Sequence, residues 1–339
     1  MKMVEKVRFG FLGVAHFHSE NYGRVIKELP NSEVVAVYED DEKLGKEYAE
    51  KFEIKYYSTP DDLLKRDDID AVVITAENAK HHGLAIKAAE AGKHILCEKP
   101  IAVTVEQADD MVKKAEKAGV KFQTCFVMRY HSTSILVKNL IEEGRIGKVL
   151  ALVGTNKLNA SLPLLRKWFT EPELSGGGAV MDHTVHLADL IRWYTKSEAA
   201  EVYTEIGRNV NPDIKVEDNF LTMLKMQNGA IGHIDGSWSY AAGLYTWGDV
   251  TMEILGTDGV ILLDAFRQNV YYIGMDSPND KLTWHYYGCD PDMEMVKSFV
   301  DCILNDKVPI ATGFDGRQGV AITLASYESA KTGKIVKPK

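Results

Sequence analysis

The chain of 339 residues has only four cysteines, and Cys97, Cys125, Cys289 and Cys302 lie far apart with no Cys-x-x-Cys among them. That spacing argues against a disulfide framework and a thiolate zinc site, and it suits reduced core thiols in a cytoplasmic protein. No apolar run approaches the roughly 20 residues of a membrane span. Near the start, Arg8 interrupts the apolar segment and no small-residue cleavage site follows, so the segment reads as a first strand rather than a signal peptide. Positive charge is in short supply as well. A net charge of -9 gives no basic face for nucleic acid or for an anionic membrane, which leaves a small molecule as the favoured partner. Internal repeats and low-complexity linkers are also missing.

What is present is ordinary globular material, 45% hydrophobic and 26% charged, in a length that calls for two domains rather than one. The most telling stretch is His94-Ile95-Leu96-Cys97-Glu98-Lys99-Pro100. Its apolar part is too short for a helix, follows the helix stop Ala91-Gly92-Lys93, and ends where Pro100 forbids a ladder donor and biases Lys99 towards extended backbone. In an open parallel sheet, ligands sit beyond the carboxyl ends of the strands, which makes Glu98 and Lys99 candidates for a cofactor and substrate site.

Upstream, Val7 to Leu12 leads into Gly13-Val14-Ala15-His16-Phe17-His18, and Ser19 to Leu29 has helical spacing. This is the strand, glycine turn and helix of a dinucleotide fold, with a degraded fingerprint: Ala15 and His18 stand where the second and third glycines belong. A second strand, Val34 to Tyr38, ends in Glu39-Asp40-Asp41. An acid there accepts hydrogen bonds from a ribose diol and repels a 2′-phosphate, favouring NAD over NADP. A third strand, Ala71 to Ile74, runs into Thr75, Ala76, Asn78 and His81 before the helix Gly83 to Ala91. The helix Val105 to Ala118 is stopped by Gly119, and Val120 to Val127 is the last strand of this half. Alternating strands and helices of this length predict a parallel, doubly wound sheet over residues 1–128. The expected cofactor contacts are Gly13, Ala15, His16, Phe17, Glu39, Asp40, Thr75, Ala76, Asn78, His81, Glu98 and Lys99.

From Arg129 the texture changes. After a helix at Ser134 to Glu143, strand-like runs dominate: Val149 to Asn156, Ala200 to Gly207, Asn219 to Gln227, Ala230 to Ser239, Val250 to Leu255, Val260 to Leu263 and Asn269 to Ile273. Asn228-Gly229 and Asp258-Gly259 read as hairpin turns. Residues 129–339 therefore form an α+β domain with a large, mostly antiparallel sheet open on one face, for which homo-oligomerisation is the expected cover. One insertion, Gly176-Gly177-Gly178, opens an apolar helix from Ala179 to Tyr194 carrying Asp182, His183, His186 and Asp189. Asp182 and His186 are four apart and share a face, as a general base and its orienting acid would. The same acids and histidines could instead hold a metal, but no supporting second site is apparent and none is expected. Arg129, Arg166 and Trp168, with Lys99, His183 and His186, are the candidate substrate contacts. Strand aromatics are more often core than pocket, so Trp238, Tyr240, Tyr245 and Trp247 are assigned to packing.

Glu98-Lys99-Pro100 together with Gly176-Gly177-Gly178-Ala179-Val180-Met181-Asp182-His183-Thr184-Val185-His186 resembles the glucose-fructose oxidoreductase and inositol dehydrogenase superfamily, Gfo/Idh/MocA. Val216-Glu217-Asp218-Asn219-Phe220, Gly256-Thr257-Asp258-Gly259 and Ser326 to Gly333 extend the likeness nearly end to end. The resemblance implies a Rossmann domain followed by an open-faced α+β domain, a nicotinamide cofactor and a sugar or cyclitol substrate. It also implies a cis peptide before Pro100, Lys99 as the lysine at the reacting hydroxyl, His186 as proton acceptor and Asp182 as its partner. The family's Pro-Asn-x-x-His becomes Glu77-Asn78-Ala79-Lys80-His81 here, without the proline. Alternatives within the same fold are NAD-assisted glycoside hydrolysis or elimination, and a non-catalytic sugar sensor.

Overall fold

The computed structural model describes residues 6–241, 248–272 and 283–339; Tyr245, Trp247 and Ile273 lie outside them. The chain divides into two compact units that are interleaved in sequence rather than separated by a single break near residue 128. The first comprises Met1–Val127, Glu173–Gly176 and Pro291–Val320; the second comprises Met128–Pro172, Gly177–Asp290 and Ala321–Lys339.

The first unit alternates strand and helix: β1 (Val7–Leu12), α1 (His18–Glu28), β2 (Ser32–Tyr38), α2 (Glu42–Phe52), β3 (Lys55–Tyr57), α3 (Pro60–Leu64), β4 (Ala71–Ile74), α4 (His81–Glu90), β5 (His94–Cys97), α5 (Val105–Ala118) and β6 (Phe122–Thr124). All six strands are parallel, in the order β3-β2-β1-β4-β5-β6. Phe9, Phe11, Val72, Val73, Ile95 and Leu96 are fully buried, because a parallel sheet covered on both faces needs apolar side chains on both. Local chemistry sets the helix limits. Thr104 Oγ1 accepts the Gln107 N–H and starts α5, and Gly119 at φ 68° stops it. Asp41 caps α2 in the same way through the Leu44 N–H.

The sixth strand is shorter than the expected Val120 to Val127. The Phe126 N–H turns back to Thr124 O while the Cys125 N–H reaches Cys97 O, so the chain bends away after Thr124.

Strand order reverses between β1 and β4, the position at which open α/β sheets bind ligands. Gly13, at the end of β1, has φ 82°, and a Cβ built on it would overlap Ala76 at the end of β4. Here glycine is required twice, by conformation and by space.

In the second unit, α6 (Ser132–Glu142), β7 (Val149–Asn159), α7 (Pro172–Ser175, shared with the first unit) and α8 (Ala179–Thr195) precede β8 (Ala199–Gly207), β9 (Asn219–Met226), β10 (Ile231–Tyr240), β11 (Thr251–Gly256) and β12 (Val260–Asp264). The six strands are ordered β12-β11-β7-β10-β9-β8, with β7 and β10 parallel and every other neighbour antiparallel. The hairpins at Asn228-Gly229 and Asp258-Gly259 join β9 to β10 and β11 to β12 as expected. A separate pair, β13 (Asn269–Tyr272) and β14 (Thr283–Tyr286), is antiparallel. Two helices follow, α9 (Pro291–Leu304) against α1 and β1 of the first unit, and α10 (Gly313–Thr332), whose residues divide between the units after Val320.

Burial alternates along β9 and β11 and through the middle of β7 and the first half of β10. Leu152, Leu224, Ile234 and Ile254 point under α8 and its surroundings, whereas Val153, Met223, Ile231 and Leu255 are exposed on the opposite face.

Gly13→Ala is expected to destabilise the protein by about 2–4 kcal/mol, because the new Cβ meets Ala76 in a left-handed backbone. Urea unfolding at neutral pH checks this, and an unchanged midpoint would show that the turn relaxes freely.

Candidate active site

The ligand end of the first unit is built from three strand ends tied to one another. The Gly13 N–H donates to Tyr38 O, the His16 N–H to Thr75 O at 2.9 Å, and Thr75 Oγ1 to Gly13 O at 2.6 Å. The glycine turn is therefore clamped between the ends of β2 and β4, and Ala15, Thr75 and Ala76 are buried behind it. Beside the turn lies a cleft of about 450 Å³ whose lining includes Gly13, Tyr38, Asp40, Pro60, Ala76 and Lys80. Space next to a glycine turn, at a switch point and bounded by an acidic strand end, fits the adenosine side of a dinucleotide.

The two acids at the end of β2 differ in kind. Glu39 is buried, accepting the Val14 N–H at 2.7 Å and the Asp41 N–H at 3.2 Å, so it braces the glycine turn. Asp40 is exposed to the cleft, with Lys80 Nζ at 2.7 Å. Of the two, Asp40 is the acid a ribose diol could reach from solvent. Phe17 is partly exposed on the same turn.

At the end of β5, Glu98 has no exposed surface. Its Oε1 accepts from Tyr22 OH and lies 2.8 Å from His18 Nδ1, while Oε2 accepts the Lys99 N–H at 2.7 Å. Burial alone would raise this carboxyl, but the charges of His16 and His18, the His18 hydrogen bond and the Lys99 charge together hold it well below the usual glutamate range. His16, His18 and Glu98 offer ligand-type atoms within 4.8 Å of one another. With both oxygens of Glu98 already engaged, the cluster is satisfied as a hydrogen-bond network. The third fingerprint residue, His18, is thus accommodated by turning towards a buried acid. Cys97 and Cys125 lie close by, and burial first, then the Glu98 charge, pushes both thiols up.

The Lys99–Pro100 peptide bond is cis, as the resemblance implied, and Lys99 is 5% exposed. His81, expected at the cofactor, is buried with Nδ1 2.9 Å from Pro100 O and Nε2 3.0 Å from Ala76 O. The ring spans two carbonyls and fastens the segment after β5 to the end of β4. His82 reaches Asp110 at 2.9 Å. Asn78 is buried too, donating from Nδ2 to Ser175 O at 2.8 Å.

In the second unit, α8 carries Asp182 and His186, both half-buried. Asp182 Oδ2 accepts the Trp238 indole N–H at 3.2 Å and lies 3.0 Å from His183 Nε2. His183 is buried, its Nδ1 2.6 Å from Asn156 O, so the ring bridges a backbone carbonyl and a carboxylate. Sequence reasoning missed Trp238, which patterning assigns to packing; it is 1% exposed, yet its polar tip serves Asp182. Arg129 is 4% exposed and forms a bidentate pair with Asp189 at 2.7 and 2.6 Å, which occupies the guanidinium within the unit's interior. Trp168 is buried and stacked on Phe169, whereas Arg166 is half-buried.

A nucleotide-type parallel sheet with a glycine turn, joined in one chain to an α+β unit bearing an Asp-x-x-x-His helix, defines a two-unit dehydrogenase architecture. Residues 7–126 match the model of the oxidoreductase family with an NAD-binding Rossmann fold, residues 135–262 match the GFO/IDH/MocA C-terminal domain, and the chain belongs to this family. It is an oxidoreductase with NAD as cofactor. It is 27% identical to myo-inositol 2-dehydrogenase of Thermotoga maritima over 98% of both chains. It is also 31% identical to 2,7-anhydro-N-acetylneuraminate hydratase of Mediterraneibacter gnavus, covering 77% of this chain and 68% of the relative. A levoglucosan dehydrogenase solved in complex with NADH and levoglucosan shares the fold, with a TM-score of 0.85 and 24% identity over 98% of this chain and 99% of that one.

Glu39 and Glu98 give the first unit opposite pH responses. Burial, followed by the hydrogen bond with Asp40, pushes Glu39 up to about 7 against the pull of the Val14 and Asp41 N–H groups. The folded protein then keeps a proton that the unfolded chain has lost, so stability falls as pH rises from the ordinary carboxylate range through about 7. Glu98 is lowered instead, so its contribution is complete above the ordinary glutamate range and drains as pH falls towards its depressed value. Glu39→Gln should remove the first effect. From about pH 5 to about pH 8 the wild type should lose about 2 kcal/mol relative to the variant, read from urea unfolding at each pH. Parallel profiles would refute the assignment.

Proposed function

We propose that this protein transfers a hydride between nicotinamide C4 and a secondary alcohol carbon of a sugar or cyclitol, in the cytoplasm, with Lys99, Asp182 and His186 as the catalytic group. The observation that carries the reading is Lys99 itself: an almost fully buried ammonium leaving the carboxyl end of β5, beside the strand that flanks the switch point. Burying an ammonium costs free energy that pairing and hydrogen bonds must offset, and a lysine kept in such a place at a ligand-facing strand end is characteristic of a functional site. Bound NAD supplies the hydride acceptor, or in reverse the donor. During alcohol oxidation the Lys99 ammonium stabilises the alkoxide-like charge as it builds, and His186 takes the hydroxyl proton. Asp182, one turn earlier on α8, is the partner of His186. Arg166 is the further substrate contact we favour; His183, with both ring nitrogens engaged by Asn156 O and Asp182, is given up as one. Relatives named for inositol and levoglucosan support a polyol or sugar as substrate class.

A hydratase at 31% identity favours a second reading, in which NAD is used transiently for elimination or hydration. Anaerobic mixing of the purified protein with NAD and a panel of sugars and cyclitols separates the two. Accumulating NADH with a matching ketone supports the dehydrogenase; product without net NADH supports the second reading. Lys99→Ala should lower kcat roughly hundred- to thousandfold, with NAD binding weakened less. Unchanged turnover would remove Lys99 from the mechanism.

We also infer a homodimer or homotetramer formed through the exposed sheet face. Strand register sets Tyr203, Met223, His233, Val153, Glu253 and Leu262 in one row across all six strands, and Ile231 and Leu255 belong to the next. Met223, Val153 and Leu262 are each at least half exposed, alternating along the row with His233 and Glu253, and Ile231 and Leu255 add exposed apolar area beside them, the mixed surface that subunits cover. Solution scattering should give an oligomer that Met223→Lys weakens; a monodisperse wild-type monomer would contradict the inference.

A further inference from the structure

The helix that carries Asp182 and His186 begins without a side-chain cap of its own. Gly178 is its N-cap residue and has no side chain to offer, so the orphan N–H groups of the first turn need an outside acceptor. Glu217 supplies it. The Gly178 N–H donates to Glu217 Oε1 at 2.9 Å, the Val180 N–H donates to the same oxygen at 3.0 Å, and the Ala179 N–H donates to Glu217 O at 3.0 Å. Tyr327 OH donates to Oε1 at 2.6 Å from α10, and its oxygen lies 3.2 Å from Gly178 N. A single residue therefore receives three consecutive N–H groups, and its negative charge faces the positive end of a 17-residue helix. The glycines make this approach possible: a Cβ on Gly177 would overlap Tyr327 Oη, and one on Gly178 would overlap Glu217 O.

The next residue works on the other side of Asp182. Asp218 is fully buried, and its carboxylate accepts the N–H groups of Asn209, Val210 and Asn211 at 2.9, 2.8 and 2.6 Å, which anchors the segment rigidly. Its own carbonyl accepts the Trp238 backbone N–H at 2.8 Å. Trp238, held there, directs its indole N–H to Asp182 Oδ2 at 3.2 Å.

We propose that the Glu217-Asp218 dipeptide is the template that positions Asp182, with Glu217 fixing the backbone of α8 and Asp218 aiming Trp238 at the carboxylate. Glu217 and Trp238 are thus positioning residues for the helix that carries Asp182 and His186. The inference deepens the proposed function, since it takes Asp182 to be catalytic, but the clamp itself is a property of the second unit alone.

Amide hydrogen exchange of peptides covering residues 178–186, read alongside kinetics, tests both halves. In Glu217→Ala the first turn of α8 should exchange roughly tenfold faster or more, while Glu217→Gln, which keeps an acceptor oxygen, should restore most of the protection. Trp238→Phe keeps the ring and loses the donor. It should leave α8 exchange unchanged, lower kcat roughly three- to tenfold with KM nearly constant, and move the acidic limb of kcat/KM to higher pH, because Asp182 loses a hydrogen bond that favours its charged form. Native exchange in both Glu217 variants would overturn the clamp, and an unmoved acidic limb in Trp238→Phe would overturn the Trp238 half. Should the wild type show no NAD-dependent turnover on any compound, the proposed function fails, and the exchange comparison still decides the clamp.

Discussion

The first unit's ligand end depends on keeping a carboxylate charged where water does not reach it. Glu98 has no solvent to lean on, so its charge must be met by donors fixed in space, and His18, Tyr22 and the Lys99 N–H provide them. Each of these ties a different piece of structure to the end of β5: the glycine turn, the body of α1 and the residue that begins the cis-proline segment. His81 ties that segment to the end of β4 in turn, and Thr75 and Glu39 tie the glycine turn to β4 and β2. The functional end of the sheet is consequently a closed circuit of hydrogen bonds. A histidine in place of the third fingerprint glycine is a member of that circuit.

Much of the fold was legible because short-range chemistry and long-range burial agree. The limits of β5 and α5 follow directly from Gly92, Pro100, Thr104 and Gly119, and the two hairpins of the second unit from Asn228-Gly229 and Asp258-Gly259. What was not legible is nonlocal. The return of Pro291–Val320 to the first unit leaves no local mark on the sequence, and the shortened β6 results from a bend that tertiary hydrogen bonds impose. Three-residue β3 carries too little pattern to be seen at all.

The site was legible as residue types and less so as roles. An acid at the end of β2 was expected at the ribose, and the structure separates two acids that sequence reading treats alike: a buried brace, Glu39, and an exposed carboxylate, Asp40. Residue type and spacing cannot reveal which neighbour satisfies a buried group. Arg129 looks like a substrate ligand until Asp189, sixty positions away, is seen against it. His81 shows the same ambiguity, because a histidine that spans two carbonyls is indistinguishable in sequence from one that faces a cofactor. Trp238 reads as core, and Glu217, although it lies in a stretch that carries the family likeness, shows nothing in sequence of the helix N–H groups it accepts.

The buried thiols beside Glu98 have a chemical rather than a mechanical meaning. Only a thiolate reacts readily with peroxides, disulfides or alkylating agents, and forming one at Cys97 or Cys125 would put a second negative charge next to an anion already stripped of water. Burial first, and then the same carboxylate that organises the turn, disfavour the thiolate of both sulfurs. At the nucleotide-binding end of this oxidoreductase both buried sulfurs are thereby kept in the thiol form, which is slow to react.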